Sequence, residues 1–232
     1  MKIHLFERVP FEIDIPKMLK KMNLKRDHPG TDQIIKQLQE GARIAAPKAV
    51  YGEARIQERG EETLLAEGIR FRSRMLMINT QKTEWLFPYL ATCGSELEEW
   101  REAQSSPLEQ YVASLVEEEA CRNAMMFLFK VIDDTHQLQF SSSMNPGSLD
   151  DWPLSEQRQL FQLLEDSHKA LGIQLLDSLL MKPAKSVSGV RFSGTHAYTN
   201  CQVCSRQSCP GRMEPYDPEA RKRYHELSSS NS

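Results

Sequence analysis

The apolar period of this chain changes at Lys48, and that change constrains the fold more than any other feature. Upstream, apolar residues recur at helical spacing. Asp14 followed by Pro16 reads as a helix start, with Ile15, Met18, Leu19 and Met22 on one face, and a second helix from Thr31 or Asp32 carries Ile34, Ile35, Leu38 and Ile44. From Lys48 the pattern alternates, placing Val50, Gly52, Ala54 and Ile56 on one side of an extended segment. The stretches TLLAEGIRF, RMLMI and EWLFPYLATCG read as further strands, close enough together for a meander.

Helical spacing returns at Ser95–Arg101. It then runs through SPLEQYVASLVEEEACRNAMMFLFKVIDD, the longest periodic segment, where Ser106 is the predicted cap and Pro107 takes the first helical position. The acidic run Glu117–Glu119 reads as the solvated face of that helix. After a polar loop, FSSSMNPGSLDDW, the segment PLSEQRQLFQLLEDSHKALG reads as one helix with Leu154, Gln157, Leu160, Leu163 and Leu164 inward and Gly172 as its stop. IQLLDSLLM and SVSGVRFS read as a final pair of strands joined through KPAK. Strands in a block, with helices before and after, predict an α+β fold in which helices flank a twisted, mainly antiparallel sheet. We expect one domain over residues 1–194 and a cysteine-containing appendage over residues 195–232.

Composition narrows the function classes. The 232 residues are enough for a substantial core, and 29 Lys+Arg against 32 Asp+Glu leave a net charge of −3. Phosphate binding usually leaves a cationic footprint, so nucleic acid is not an expected partner. No run of ~20 apolar residues is present, so no membrane span is expected. The start, MKIHLFERVPFEIDIPK, lacks the apolar core of a signal peptide, which places the expected location in the cytoplasm. The motifs G-x-G-x-x-G, G-x-x-x-x-G-K-[ST] and G-x-S-x-G are all missing, which gives little support to a nucleotide-binding enzyme or a triad hydrolase.

In a reducing compartment, close cysteines are more often ligands or redox groups than disulfides. Three of the five cysteines, Cys201, Cys204 and Cys209, are spaced C-x2-C-x4-C. A C-x2-C pair brings two thiolates to one metal across a tight turn, and zinc and iron–sulfur clusters each usually take four ligands. His196, Cys93, Cys121, a second subunit or a small molecule are the alternatives for the fourth position. Reduced thiols in a surface loop are the simpler alternative to a metal. Arg206 and Arg212 are placed to favour thiolates. Cys121, inside the long helix, reads as a packing residue, and Cys93 sits at a strand-to-helix turn.

The run LEDSHKALGIQLLDSLLMKPAKSVSGVRFS resembles the activation domain of cobalamin-dependent methionine synthase. In that family a helix leads to a Met/Pro-containing turn and then a SVSG strand, matched here by Met181, Pro183 and Ser186–Gly189. The specific part covers about Asn145 to Ser193. The resemblance implies an α+β fold, binding of S-adenosylmethionine, and methyl transfer to a cobalamin that has lapsed into the Co(II) state, with one electron from a flavoprotein. It implies a cofactor-binding loop at Asn145, Pro146, Gly147, Ser148 and Asp150 or Asp151; Arg191 and Tyr198, close to the cysteines in sequence, are further candidate contacts. The loop departs from the family's pattern, with Ser143 at its arginine position and Ser148 at its tyrosine position. A serine lacks the bidentate contact that an arginine makes to a carboxylate, which counts against adenosylmethionine.

The expectation is a stand-alone reactivation factor for a corrinoid methyltransferase such as methionine synthase. Its corrinoid would be presented by the partner, and an iron–sulfur cluster or zinc would sit at the three cysteines. The electron donor would be a flavoprotein or ferredoxin. The alternatives are a non-catalytic corrinoid-binding module and an interaction module pinned by metal.

Overall fold

Local chemistry sets most helix starts where the sequence places them. Asp14 accepts a hydrogen bond from the Lys17 amide at the head of α1 (Ile15–Lys21), and α2 follows at Thr31–Ile44. The computed structural model describes residues 1–149, 151–194, 200–204, 206, 212 and 214–222. Of the four segments expected as strands in the central block, three are extended: β2 (Lys48–Arg59, after an N-terminal β1 at Lys2–Phe6), TLLAEGIRF, which folds as a hairpin of β3 (Thr63–Ala66) and β4 (Ile69–Arg72), and β5 (Trp85–Thr92).

RMLMI is a correction: it forms a helix, α3 (Arg74–Asn79). Ser73 caps it by accepting from the Leu76 amide, and the distant Asp151 carboxylate accepts from the Met75 amide. Met and Leu, unbranched at Cβ, suit a helix, and the second cap comes from 76 residues away, beyond any local pattern.

α4 (Ser95–Glu102) leads to α5 (Pro107–His136), a 30-residue helix closed at its start by a reciprocal pair. The Ser106 hydroxyl accepts from the Glu109 amide, and the Glu109 carboxylate accepts from the Ser106 amide. The acidic run is not uniformly solvated. Glu117 is 3% exposed and paired with Arg101 at 3.0 Å, while Glu118 and Glu119 reach Lys21 and Lys17 of α1. Those pairs fasten α1 to the long helix.

The polar loop contains a strand that was not foreseen, β6 (Ser141–Met144). The helix expected after it is broken into a short turn at Leu154–Glu156, α6 (Gln157–Leu163) and α7 (Ser167–Ala170), with Glu165 at φ 49° between the last two. IQLLDSLLM does not pair with SVSGVRFS. It turns on itself through Leu176–Leu180, so that β7 (Gln174–Leu175) meets β8 (Met181–Lys182), and β9 (Ser186–Ser193) joins the main sheet instead. A short helix, α8, spans Asn200–Val203, and residues 218–222 are also helical.

Among the described residues the main sheet has seven strands in the order β4-β3-β2-β5-β9-β6, with β1 beside β2, and every pairing is antiparallel. The α+β expectation therefore holds. The two-residue alternation assigns the faces. Phe87, Tyr89 and Ala91 of β5 pack on Ala124, Leu128 and Ile132 of α5. On the opposite face Leu86 meets the cluster with Leu160 and Leu163, and Leu90 meets Phe161 and Leu164. Val203 is buried among Phe192, Met144 and Trp152, so the segment read as an appendage is seated on the main core at that point. No described helix is long and apolar enough to cross a membrane.

Candidate functional site

β6 is shorter than β9, and the site follows from that mismatch. β6 pairs only with Val190–Ser193, because the chain turns away after Met144. The Ser186–Gly189 half of β9 is therefore left without a strand on that side. Asn145 takes the first step of the turn, and its side-chain amide donates to the Ser188 carbonyl at 2.7 Å and to the Tyr89 hydroxyl at 2.8 Å. This bridge passes directly over Gly189. A Cβ there would lie 2.6 Å from both Asn145 Nδ2 and the Met144 carbonyl, so close approach demands the glycine of SVSG.

Above this floor is a cleft of about 370 Å³, within the range of small-molecule sites. Phe129 and Met125 of α5 form one wall, Gln157 and Met181 the other, and Asn145, Pro146 and Ser148 the end. Gln157 is held in place, accepting from the Ser188 hydroxyl at 3.1 Å and donating to the Leu179 carbonyl at 3.2 Å. Tyr89 is fully buried, and burial pushes its phenol well above the ordinary value, so it stays neutral. Its oxygen accepts from Asn145 at the floor of the cleft, a bond that does not use its O–H. The walls are thus apolar and neutral-polar, suited to an aromatic, hydrogen-bonding body such as a nucleoside.

Arg191 lies beside the cleft but is engaged elsewhere. It donates to Asp133 from Nε at 2.7 Å and Nη2 at 2.5 Å and to Ser141 Oγ at 2.5 Å, and its guanidinium lies 4.2 Å over the Phe129 ring. A larger recess, of about 810 Å³, lies between α1 and α2 and is lined by Leu19, Leu24, Lys20 and Lys25. It is a surface groove on the helical side of the molecule.

Residues 148–209 match the family model for the activation domain of vitamin B12-dependent methionine synthase. Among solved structures, the chain is similar to the MetH reactivation domain crystallised bound to AdoHcy, with a TM-score of 0.56 and 13% sequence identity, over 86% of this chain and 83% of that one. The chain has the activation-domain fold. The resemblance carried by SVSG and the Met/Pro turn is upheld at that level. No curated protein matches the chain by sequence.

Within the activation-domain fold, the residues expected at the site are placed differently from one another. Asn145, Pro146 and Ser148 line the cleft. Gly147, at φ 78°, shapes the turn: its amide donates to the Trp152 carbonyl at 2.7 Å, and an added Cβ would meet Leu154 at 3.0 Å. Asp151 points away, its carboxylate accepting from Ser73 Oγ at 2.5 Å and the Met75 amide at 3.0 Å. Asp150, Tyr198, His196 and Cys209 lie outside the described residues.

Cys201 is the second residue of α8, and Cys204 follows its end. Among the described residues no three His, Cys, Asp or Glu side chains converge as a metal site. Arg212, expected to favour thiolates, instead clamps backbone. Its guanidinium donates to the carbonyls of Cys201, Cys204 (3.2 Å) and Arg206 (2.7 Å). Cys93 is fully buried among Leu97 and Val112, and burial raises its thiol pKa. Burial likewise pushes Cys121 up to about 12. Both are protonated, packed thiols of the helical cluster.

Sequence reasoning missed Tyr89, Met125, Phe129 and Gln157. Each was read only as part of a strand or an apolar helix face, and nothing local marks them as neighbours.

Proposed function

We propose that this chain is a reactivation-related accessory module for a corrinoid-dependent methyltransferase such as methionine synthase, and that its cleft holds an adenosyl compound. The observation that carries this reading is the position of the cleft. It is closed by the Asn145–Ser148 turn, the segment that corresponds to the family's adenosylmethionine loop, in a fold shared with a domain crystallised bound to AdoHcy. The fit to the residues is good for the nucleoside. Tyr89 and Asn145 offer hydrogen bonds at a dry end, with Phe129 as an apolar wall.

Adenosylmethionine would supply a methyl group, and an electron donor such as a flavoprotein or ferredoxin one electron, both to the corrinoid carried by the partner. The residues of this chain hold and orient the donor. Asn145 fixes the turn against β9, Tyr89 donates a hydrogen bond, and Phe129 and Met125 keep water from one side.

Cys201, Cys204 and Cys209 are proposed to hold a cluster or zinc, a reading supported by their spacing. A non-catalytic corrinoid-binding module is the second reading. It is favoured by Ser143 at the family's arginine position and by the engagement of Arg191 with Asp133.

The test combines two measurements on the full chain: calorimetric titration with AdoHcy, and co-elution with a cobalamin-loaded methionine synthase core. Binding in both supports the proposal. Co-elution without AdoHcy binding selects the second reading, and neither binding event rejects both.

A further inference from the structure

If the cleft takes an adenosyl amino acid, its carboxylate needs a cation, and none lines the cleft among the described residues. Ser143 cannot serve, and Arg191 is already held by Asp133. The cations lie one step further along the same groove. A second recess of about 220 Å³ shares Met125, Ser186 and Val187 with the first and ends at Arg122 and Lys185.

The register of α5 makes the two recesses continuous. Arg122, Met125 and Phe129 are spaced three and four residues apart, so they form one stripe facing β9. From Phe129 to Arg122 is seven residues, or about 10 Å along the helix axis. Lys185 stands on a pinned backbone. Its carbonyl accepts from the Cys93 amide at 3.0 Å, and the preceding Ala184 amide donates to the buried Glu98 carboxylate at 2.8 Å. Both cationic side chains are half-buried, and neither is ion-paired with a carboxylate among the described residues. Glu118 also borders this end and its charge reaches both cations, but Lys21 holds it at 2.9 Å, and among the lining residues two cations face one carboxylate.

We propose that Arg122 and Lys185 bind the carboxylate of an amino-acid group whose nucleoside lies at Tyr89, so that the ligand is read along α5 rather than at the turn. This rests on reading the cleft as an adenosyl site. It assigns to a helix and a strand lead-in the role that an arginine of the turn would otherwise take.

The test compares AdoHcy with 5′-methylthioadenosine, which keeps the nucleoside and lacks the amino-acid group, by calorimetry on the full chain. Wild type should bind AdoHcy at least roughly tenfold tighter, the scale of a charged hydrogen bond. The double variant R122Q/K185Q should remove that difference while binding 5′-methylthioadenosine as wild type does, which also reports that it folds. If both compounds bind and the preference is missing, or survives in R122Q/K185Q, the carboxylate assignment is overturned and the adenosyl site stands. If neither compound binds the wild type, the adenosyl site itself is wrong, and the assignment falls with it.

Discussion

Asp133 of α5 grips the guanidinium of Arg191 on β9 through two hydrogen bonds, of 2.7 and 2.5 Å, and so joins the end of the long helix to the strand that floors the cleft. The arginine is 11% exposed and the aspartate 27%. Removing one member leaves the other charge partly buried without its partner. Asp133→Ala should therefore cost about 3 kcal/mol in urea unfolding. The double variant Asp133→Leu/Arg191→Met should recover much of that loss. A cost well under about 1 kcal/mol, the range of solvent-screened surface pairs, would show that the bridge is not structural.

Gly189→Ala tests the floor of the cleft. The new methyl group would lie 2.8 Å from the Tyr89 oxygen as well as on Asn145, so the Asn145–Tyr89 bridge has to shift. The expected result is a stability loss of about 2 kcal/mol together with weaker binding of 5′-methylthioadenosine. Unchanged melting and unchanged affinity would mean that the bridge is not part of the site.

Acid should weaken the fold through Glu53. Partial burial opposes its charge, but the His4 ring 2.6 Å away, with Lys2 and His136 nearby, outweighs this and lowers its pKa. A lowered carboxylate pKa contributes stability that is present above the ordinary value and lost as pH falls through the native one. His136 is lowered as well, by burial ahead of the opposing charge of Glu53. The unfolded chain therefore takes up that proton more readily, and stability begins to fall below about pH 6.5. Melting temperature followed from pH 8 to 4 should drop in both windows. His136→Gln should flatten the upper window, and Glu53→Gln should flatten the part below about pH 4.5. Parallel curves for all three proteins would refute this account.

Protein purified without oxygen should carry iron with sulfide, or zinc, and lose it in C201S/C204S. C93S should retain the metal, since Cys93 is enclosed by the helical cluster. Metal-free wild type would end the metal reading of the three cysteines.

What the sequence discloses here is whatever is decided locally. The Asp14 and Ser106 caps, the alternation along β2 and β5 and the SVSG strand depend on residues within a turn or two of each other, and all were legible. Glu117 was misread because its partner Arg101 sits on another helix. RMLMI was misread because half of its helix signal is Asp151. Ser141–Met144 carries no apolar alternation and becomes a strand because β9 offers it a partner. The turn at Asn145–Ser148 was found through family resemblance. The aromatic and amide groups facing it, Tyr89, Phe129 and Gln157, come from three elements far apart in the chain, and only folding brings them together.

The unbroken length of α5 has a mechanical consequence. The gap between the neutral end of the groove and its cationic end is measured out by one rigid rod, not by loops. Loop changes at residues 145–148 would alter which body enters. On the proposed reading, ligand length is selected by the helix: inserting one residue between Arg122 and Met125 would swing the two ends apart by about 100°, and a ligand long enough to need both should no longer bind.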